Sequence, residues 1–398
     1  MSPSNTPFPP LPLPSSISET YVHTPTNNLV FHVLTSGSRS NPLLLLVHGY
    51  PELAYSWRKV MPALAAAGYF VVAYDQRGYG RTLGWDDSTY ARVDMAQFSM
   101  TNLVRDAVTL VHALGHRSVA CIVGHDFGAV TASLCGLIRP DFFKSVVMMS
   151  HPYKEAEPLP FNIAFQPRTN DKDEHDQGSS GGGTAKPDIA RDLAMLTPPR
   201  KHYKLYNSTA VAALQWSVPV QGLGPFLRGY FHVKSAAYAP NAPFPLQAWS
   251  ASELAKMPLY YIMPLHASMP ETIASLMAEE PDLDATKAWL SDEELDVYVQ
   301  EWGRTGFQGG LNWYRTATDG ARLRDLEVFA GKRIECPAAF VSGERDWGNY
   351  QQPGALERLP ETCGDFRGAV FVEGAGHWPQ QEQPERVVEE LLKFLRGL

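Results

Sequence analysis

A chain of 398 residues, 44% hydrophobic and 19% charged, is long enough for one large core with an insertion, or for two domains. Its formal net charge of -8, with no basic run, argues against a nucleic-acid partner. No apolar run approaches the roughly 18 residues of a transmembrane helix. The opening MSPSNTPFPPLPLPSS lacks a basic stretch followed by an apolar one, so it reads as a proline-rich arm rather than a signal peptide, and a cytoplasmic protein is expected.

In chain order, Leu29 to Leu34 predicts an edge strand and Leu43 to Val47 a buried one ending in His48-Gly49-Tyr50-Pro51. Trp57 to Ala67 has helical spacing and stops at Gly68. Tyr69 to Tyr74 is the next strand, ending in the turn Asp75-Gln76-Arg77-Gly78-Tyr79-Gly80, and Met100 to Leu114 is a helix closed by Gly115. Ser118 to Val123 is again apolar, and Ala129 to Ile138 is helical. Between them lies Gly124-His125-Asp126-Phe127-Gly128, where two glycines flank a central residue at the spacing of a nucleophile elbow. Ser145 to Met149 is a further strand. Short apolar strands alternating with helices imply an α/β protein with a mostly parallel sheet covered on both faces. Ligands bind such sheets outside the C-terminal strand ends.

The alternation breaks after Pro152. Residues 153–330 read as an inserted helical cap, with helices at Asp188 to Met195, Thr272 to Glu280, Ser291 to Trp302 and Trp313 to Ala317. A polar, glycine-rich stretch at about 170–188 cannot bury enough surface to order itself. The sheet resumes at Ala338 to Ser342 and Val370 to Val372, and an amphipathic helix from Pro384 to Leu398 closes the chain. The organisation expected is an arm over 1–28, a core over 29–152 and 331–398, and the cap over 153–330. Cys121, Cys135, Cys336 and Cys363 form no C-x-x-C pair and read as reduced interior residues. No metal-ligand cluster or phosphate loop is visible, so neither a metal nor an organic cofactor is expected.

Asp126, Asp346 and His377 stand at strand ends, in the order nucleophile, acid, histidine. A carboxylate is already ionised at neutral pH. Asp126 can therefore attack a saturated carbon and form an alkyl ester. His377, oriented by Asp346 rather than the competing Glu344, is left to activate the water that hydrolyses the ester. The oxyanion of that step would form on Asp126 itself. The N–H of Phe127 and that of Tyr50 are the expected donors. His48 and His125 read as supporting residues, Asp75 as a turn residue, and Arg77 and Arg81 as solvated or paired surface residues.

At these residues the sequence resembles the epoxide hydrolases of the α/β-hydrolase superfamily. His48-Gly49-Tyr50-Pro51-Glu52 is similar to the family's HGxPE, and Gly124 to Gly128 to its GHDWG. Gly310-Leu311-Asn312-Trp313-Tyr314-Arg315 is similar to the stretch with a lid tyrosine, and Gly376-His377-Trp378 with Gln380, Glu382 and Pro384 to the histidine motif. The resemblance spans about residues 30–165 and 250–395. It implies the α/β-hydrolase fold with a cap, a small apolar epoxide as substrate, and two lid tyrosines that protonate the leaving oxygen. Tyr314 falls at one. The other is Tyr260 or Tyr261, and spacing to Met269 favours Tyr260. Pro51 and Trp378 are expected at the pocket beside His48 and His125. Phe127 departs from the family's usual Trp. It lacks the indole donor of a haloalkane dehalogenase, which stays as the rival enzyme with the same ester. A biosynthetic epoxide-opening hydrolase or cyclase on a polyketide or terpenoid is a second alternative. A small-ligand-binding protein on the same scaffold is the non-enzyme one. A homodimer is compatible with the sequence.

Overall fold

Four strands are apolar almost throughout, His125 at the end of one apart, because the sheet is covered on both faces. They are β3 (Leu43–Val47), β4 (Phe70–Tyr74), β5 (Cys121–His125) and β6 (Val146–Met149), and every residue in them is buried. A computed structural model describes residues 8–156, 158–161, 188–280, 282 and 284–398. Before these four strands stand β1 (Ser18–Thr24) and β2 (Leu29–Ser36). After them come β7 (Arg200–His202), β8 (Ile262–Pro264), β9 (Ile334–Gly343) and β10 (Cys363–Val372). The main sheet has the order β1-β2-β4-β3-β5-β6-β9-β10. It is parallel from β4 to β10, and β1 and β2 are antiparallel.

Alternate side chains of a strand point to opposite faces. Leu43, Leu45 and Val47 thus join one core with the helices Met100–Ala113 and Phe127–Ile138. Leu44 and Leu46 join the other with Met61, Leu64, Val387, Leu391 and Leu395. The expected edge strand at Leu29 is in fact second in the sheet. Ser18–Thr24, assigned above to the arm, pairs with it as the true edge. Tyr21 and Val22 favour a strand there and outweigh the polar neighbours that disguised it. The expected helix Trp57 to Ala67 is broken into a short turn, Ala54–Trp57, and the helix Met61–Ala66.

Between β6 and β9 the described residues form the cap. Its helices Ile189–Ala194, Met269–Ala278, Asp292–Thr305 and Gln308–Thr318 fall where the sequence placed them. The helix Leu223–Lys234 and the antiparallel pair β7–β8 were not anticipated. The expected loop at 170–188 lies outside the described residues except for Asp188, whose side chain caps Ile189–Ala194 by accepting the Arg191 N–H. The four cysteines are buried and free. Among the described residues no helix is long and apolar enough to cross a membrane.

Candidate active site

The turn from β5 into the helix Phe127–Ile138 is as tight as its glycines allow. A Cβ on Gly124 would lie 2.0 Å from the Gly128 carbonyl oxygen, and one on Gly128 would lie 2.0 Å from that of Val47. Asp126 sits at the apex with φ 53°. A non-glycine residue held there is uncommon, and such strain collects at functional sites. Its Oδ1 accepts the Tyr50 N–H at 3.1 Å. Phe127 is the first residue of the helix, where an N–H has no intrahelical acceptor.

The loops after β9 and β10 bring in Asp346 and His377. The His377 Nδ1 lies 3.0 Å from both Asp346 carboxylate oxygens. Asp346 also accepts the Gly348 N–H at 2.6 Å and the Ser342 hydroxyl at 3.3 Å. Glu344, the competing acid, is exposed. On the far side of the ring, Nε2 faces Asp126 Oδ2 at 3.5 Å. That is an ion-pair contact, and Nε2 has no hydrogen-bond partner in the protein. Burial opposes ionisation of Asp126, but the His377 ring outweighs it, with further help from Lys234 and His125, and the carboxyl is held far below its usual range. Burial also opposes charge on His377. The Asp346 carboxylate overcomes this against the pull of Lys234, and the histidine ends above its ordinary value.

The supporting residues tie these loops together. His48 donates from Nδ1 to Gly49 O at 2.8 Å, and its Nε2 accepts the Gln76 N–H at 3.1 Å. His125 bridges the Glu52 carboxylate and the His377 carbonyl oxygen. Glu52, quoted in the motif but given no role, also accepts from the Gly49 N–H and from Gln380. Trp302 Nε1 donates to Pro51 O at 2.8 Å, and Trp378 Nε1 to Phe231 O at 2.9 Å, so both residues join core to cap. Asp75 fills its turn role, accepting from Ala54 N and Arg81 N and pairing with His32. Arg77 and Arg81, expected at the surface, are each 3% exposed and paired with Asp106 and with Glu301 and Glu19. Their acids come from distant parts of the chain.

Tyr314, in the helix Gln308–Thr318, packs edge-on to Phe127 with ring centroids 4.7 Å apart. Tyr260, the residue that spacing favours, is buried in the cap. Its hydroxyl donates to Asn241 Oδ1 at 2.5 Å. The neighbouring Tyr261 hydroxyl is buried with no partner, and its ring packs on Tyr203, which in turn packs on Tyr314. Burial, then the negative charges of Asp346 and Asp126 among its neighbours, raises the Tyr261 phenol well above its usual value. Burial does the same for Tyr314. Both phenols therefore keep their protons. Lys234, Tyr203 and Tyr230 also face this space and carried no sequence signal. Among the described residues no group of three His, Cys, Asp or Glu side chains is placed to hold a metal ion.

A pocket of about 160 Å³ opens beside this constellation, lined by Phe127, Leu134, His151, Lys204, Leu323 and Leu326 among others. Asp126 does not line it. Phe127 belongs to both the pocket and the tyrosine cluster.

Residues 42–180 match the family model described as alpha/beta hydrolase fold. The chain is 32% identical over 377 residues to epoxide hydrolase A of Mycobacterium tuberculosis, covering 94% of this chain and 96% of that one. It is also 32% identical to epoxide hydrolase B of the same organism, over 90% and 93% of the two chains. Among solved structures, an epoxide hydrolase from an endophytic Streptomyces superposes with TM-score 0.73 at 29% identity, covering 96% of both chains. Epoxide hydrolase A from Mycobacterium thermoresistibile does so with TM-score 0.70 at 31% identity, over 96% and 99%. With the tight aspartate elbow and the helical cap above it, these likenesses place the chain: it belongs to the epoxide hydrolase family of the α/β-hydrolase fold.

Proposed function

We propose that the protein opens a small, mainly apolar organic epoxide to a vicinal diol through a covalent ester on Asp126. The observation that carries this reading is the division of labour between the two Asp126 oxygens. Oδ1 is engaged by the Tyr50 N–H, and Oδ2 faces His377. Oδ2 attacks a ring carbon. The C–O bond of the epoxide breaks, and its oxygen takes a proton from Tyr261 or Tyr314. The product is a hydroxyalkyl ester, with Oδ1 as the carbonyl oxygen already in its hole. His377 Nε2 then removes a proton from water, and the resulting imidazolium is held by Asp346. The water oxygen attacks the Asp126 carbonyl carbon, and negative charge gathers on Oδ1 between the Tyr50 and Phe127 N–H groups. Cleavage of the acyl C–O bond sends its electron pair to the departing oxygen, which takes the proton from the His377 imidazolium. The water's second proton returns to the tyrosinate, so the diol leaves with the Asp126 carboxylate and the phenol restored. Such N–H donors are typically worth about 3 kcal/mol each.

Four indoles that pack on Tyr50, Phe127 and His377 are not free to hold a halide. Those of Trp216, Trp302, Trp313 and Trp378 all donate within the protein, to Asn207, Pro51, Arg77 and Phe231. The test is one turnover in oxygen-18 water with enzyme in excess. The diol should carry no label, and the Asp126 peptide should gain one heavy oxygen. Label in that first diol means direct attack by water and ends the ester reading.

A further inference from the structure

Lys234 is the last residue of the cap helix Leu223–Lys234 and is 3% exposed. Among the described residues no carboxylate oxygen lies within 4.0 Å of its ammonium. Aromatic rings surround it instead. Nζ is 4.7 Å from the Tyr261 centroid, 5.1 Å from Tyr230, 5.8 Å from Trp378 and 5.9 Å from Tyr203. Each such contact offsets part of the desolvation cost, but burying an ammonium without an ion partner remains unfavourable. Methionine would fill the same space without that cost. The positive charge therefore calls for an explanation that packing does not supply.

Its position suggests one. The Lys234 carbonyl oxygen accepts the His377 N–H at 2.8 Å, so one hydrogen bond fixes the cation's residue against the histidine's. The groups that face His377 are Asp346 and Asp126, His125 from β5, His151 from the loop after β6, and Lys234 from the cap. Those that face Lys234 are Asp126, Asp346, Glu52, Lys204 and the phenols of its cage. Burial lowers the ammonium's own proton affinity, and the three carboxylates only partly restore it.

We infer that Lys234 is a positioning residue of the epoxide-opening site. Its ammonium, held on the Tyr261 ring beside Asp126 and His377, eases proton donation by Tyr261 as the ring opens and disfavours the imidazolium of His377 ahead of the second step. This rests on the ester reading above. Loss of the positive charge makes proton donation by the Tyr261 phenol harder and makes His377 easier to protonate. A single charge several ångströms away acts by roughly one pH unit at an effective dielectric of about 20.

The test is single-turnover kinetics from pH 5 to 10 on the 398-residue chain, with alkylation and ester hydrolysis followed separately for Lys234→Met and Lys234→Arg. In Lys234→Met, alkylation should slow about tenfold. The acid limb of ester hydrolysis should move up by roughly one pH unit, because His377 now protonates more readily. Lys234→Arg should restore both. It should also remove the alkaline limb of alkylation that deprotonation of the lysine gives the unsubstituted enzyme, since a guanidinium keeps its charge. Unchanged limbs and alkylation rate in Lys234→Met overturn the inference, and so does slower turnover with both limbs in place. If the methionine variant does not fold, the alkaline limb of Lys234→Arg decides alone. Failure of the ester reading is visible separately, as absence of any alkyl-enzyme in the unsubstituted protein.

Discussion

Replacing Asp346 by Asn should separate the two chemical steps. The carboxylate holds the His377 Nδ1 with both oxygens at 3.0 Å in a site where each residue is 1% exposed. When His377 takes a proton from water, the imidazolium faces this carboxylate with charge centres about 4 Å apart. At an effective dielectric of about 20, that attraction is worth about 4 kcal/mol. The amide keeps the shape but removes the charge, so ester hydrolysis should slow about a thousandfold. Alkylation, which needs only the ionised Asp126 and a phenol proton, should change by less than about tenfold. The substrate-sized adduct then accumulates and is read by intact mass after rapid quenching. Asp346 is also what raises His377 above its ordinary value against burial. With the carboxylate gone, the imidazolium is less favoured, and the acid limb of the residual hydrolysis should move to lower pH. Equal slowing of both steps, or no adduct at any time, would falsify the assignment of Asp346 to the second step.

Tyr261→Phe and Tyr314→Phe should each slow alkylation by roughly tenfold to a hundredfold, the value of one hydrogen bond to a developing charge, and leave ester hydrolysis nearly unchanged in the same quench assay. Tyr260→Phe should leave alkylation alone but lower stability by about 1–3 kcal/mol in urea melts, because Asn241 Oδ1 loses its donor. Alkylation loss at Tyr260 instead of Tyr261 would restore the sequence-based preference. A third expectation concerns stability alone. Burial opposes protonation of His32, yet Asp75 and Glu19 raise it from 6.5 to about 9. A raised histidine stabilises the fold fully below about 6.5 and loses that contribution as pH rises through about 9. The protein should therefore lose up to about 3 kcal/mol of unfolding free energy between those values. His32→Gln should flatten that slope, and urea melts at pH 6.5 and 9.5 with equal slopes in both proteins would remove His32 as its source.

The parallel strands were legible because burial on both faces writes itself as unbroken apolar runs, as at Leu43–Val47 and Phe70–Tyr74. The elbow was legible because only glycine fits at 124 and 128. Ser18–Thr24 was hidden because an edge strand with a solvated face needs little apolar sequence. Leu223–Lys234 was hidden by Gly224, Pro225 and Gly229, which local propensity counts against a helix. Gly229 is there because a Cβ would lie 2.7 Å from Ile273 Cγ2 and 2.8 Å from Met277 Cγ, so two cap helices meet at that point. Spacing favours Tyr260 but carries no information on what either hydroxyl meets. Neighbouring residues point different ways, and only Asn241, about twenty residues earlier, decides which hydroxyl is occupied. Lys234 reads in the sequence like any surface lysine. Its burial depends on the whole cap closing over it.

Lys234 joins cap to core, and so do several contacts around it. The His377 loop is fastened by Lys234 O, by Phe231 O through Trp378, and by the Ala236 N–H through Glu382. Arg345, next to Asp346, donates to the carbonyls of Ala236, Ala239 and Asn241. On the Tyr50 side, Trp302 holds Pro51 O, and Tyr298 meets Ser56 at 2.8 Å. A cap fixed at both the histidine and the Tyr50 turn cannot lift there without disturbing the groups proposed for the second step. Beyond Phe127 lies the pocket lined by His151, Lys204 and Leu323, where Leu323 and Leu326 of the cap and Leu134 of the core contribute apolar surface. Apolar contacts slide at lower cost than buried hydrogen bonds break. Substrate entry is therefore best placed past Phe127, and the choice of Phe over a larger indole at that position bears on passage as well as on the leaving group.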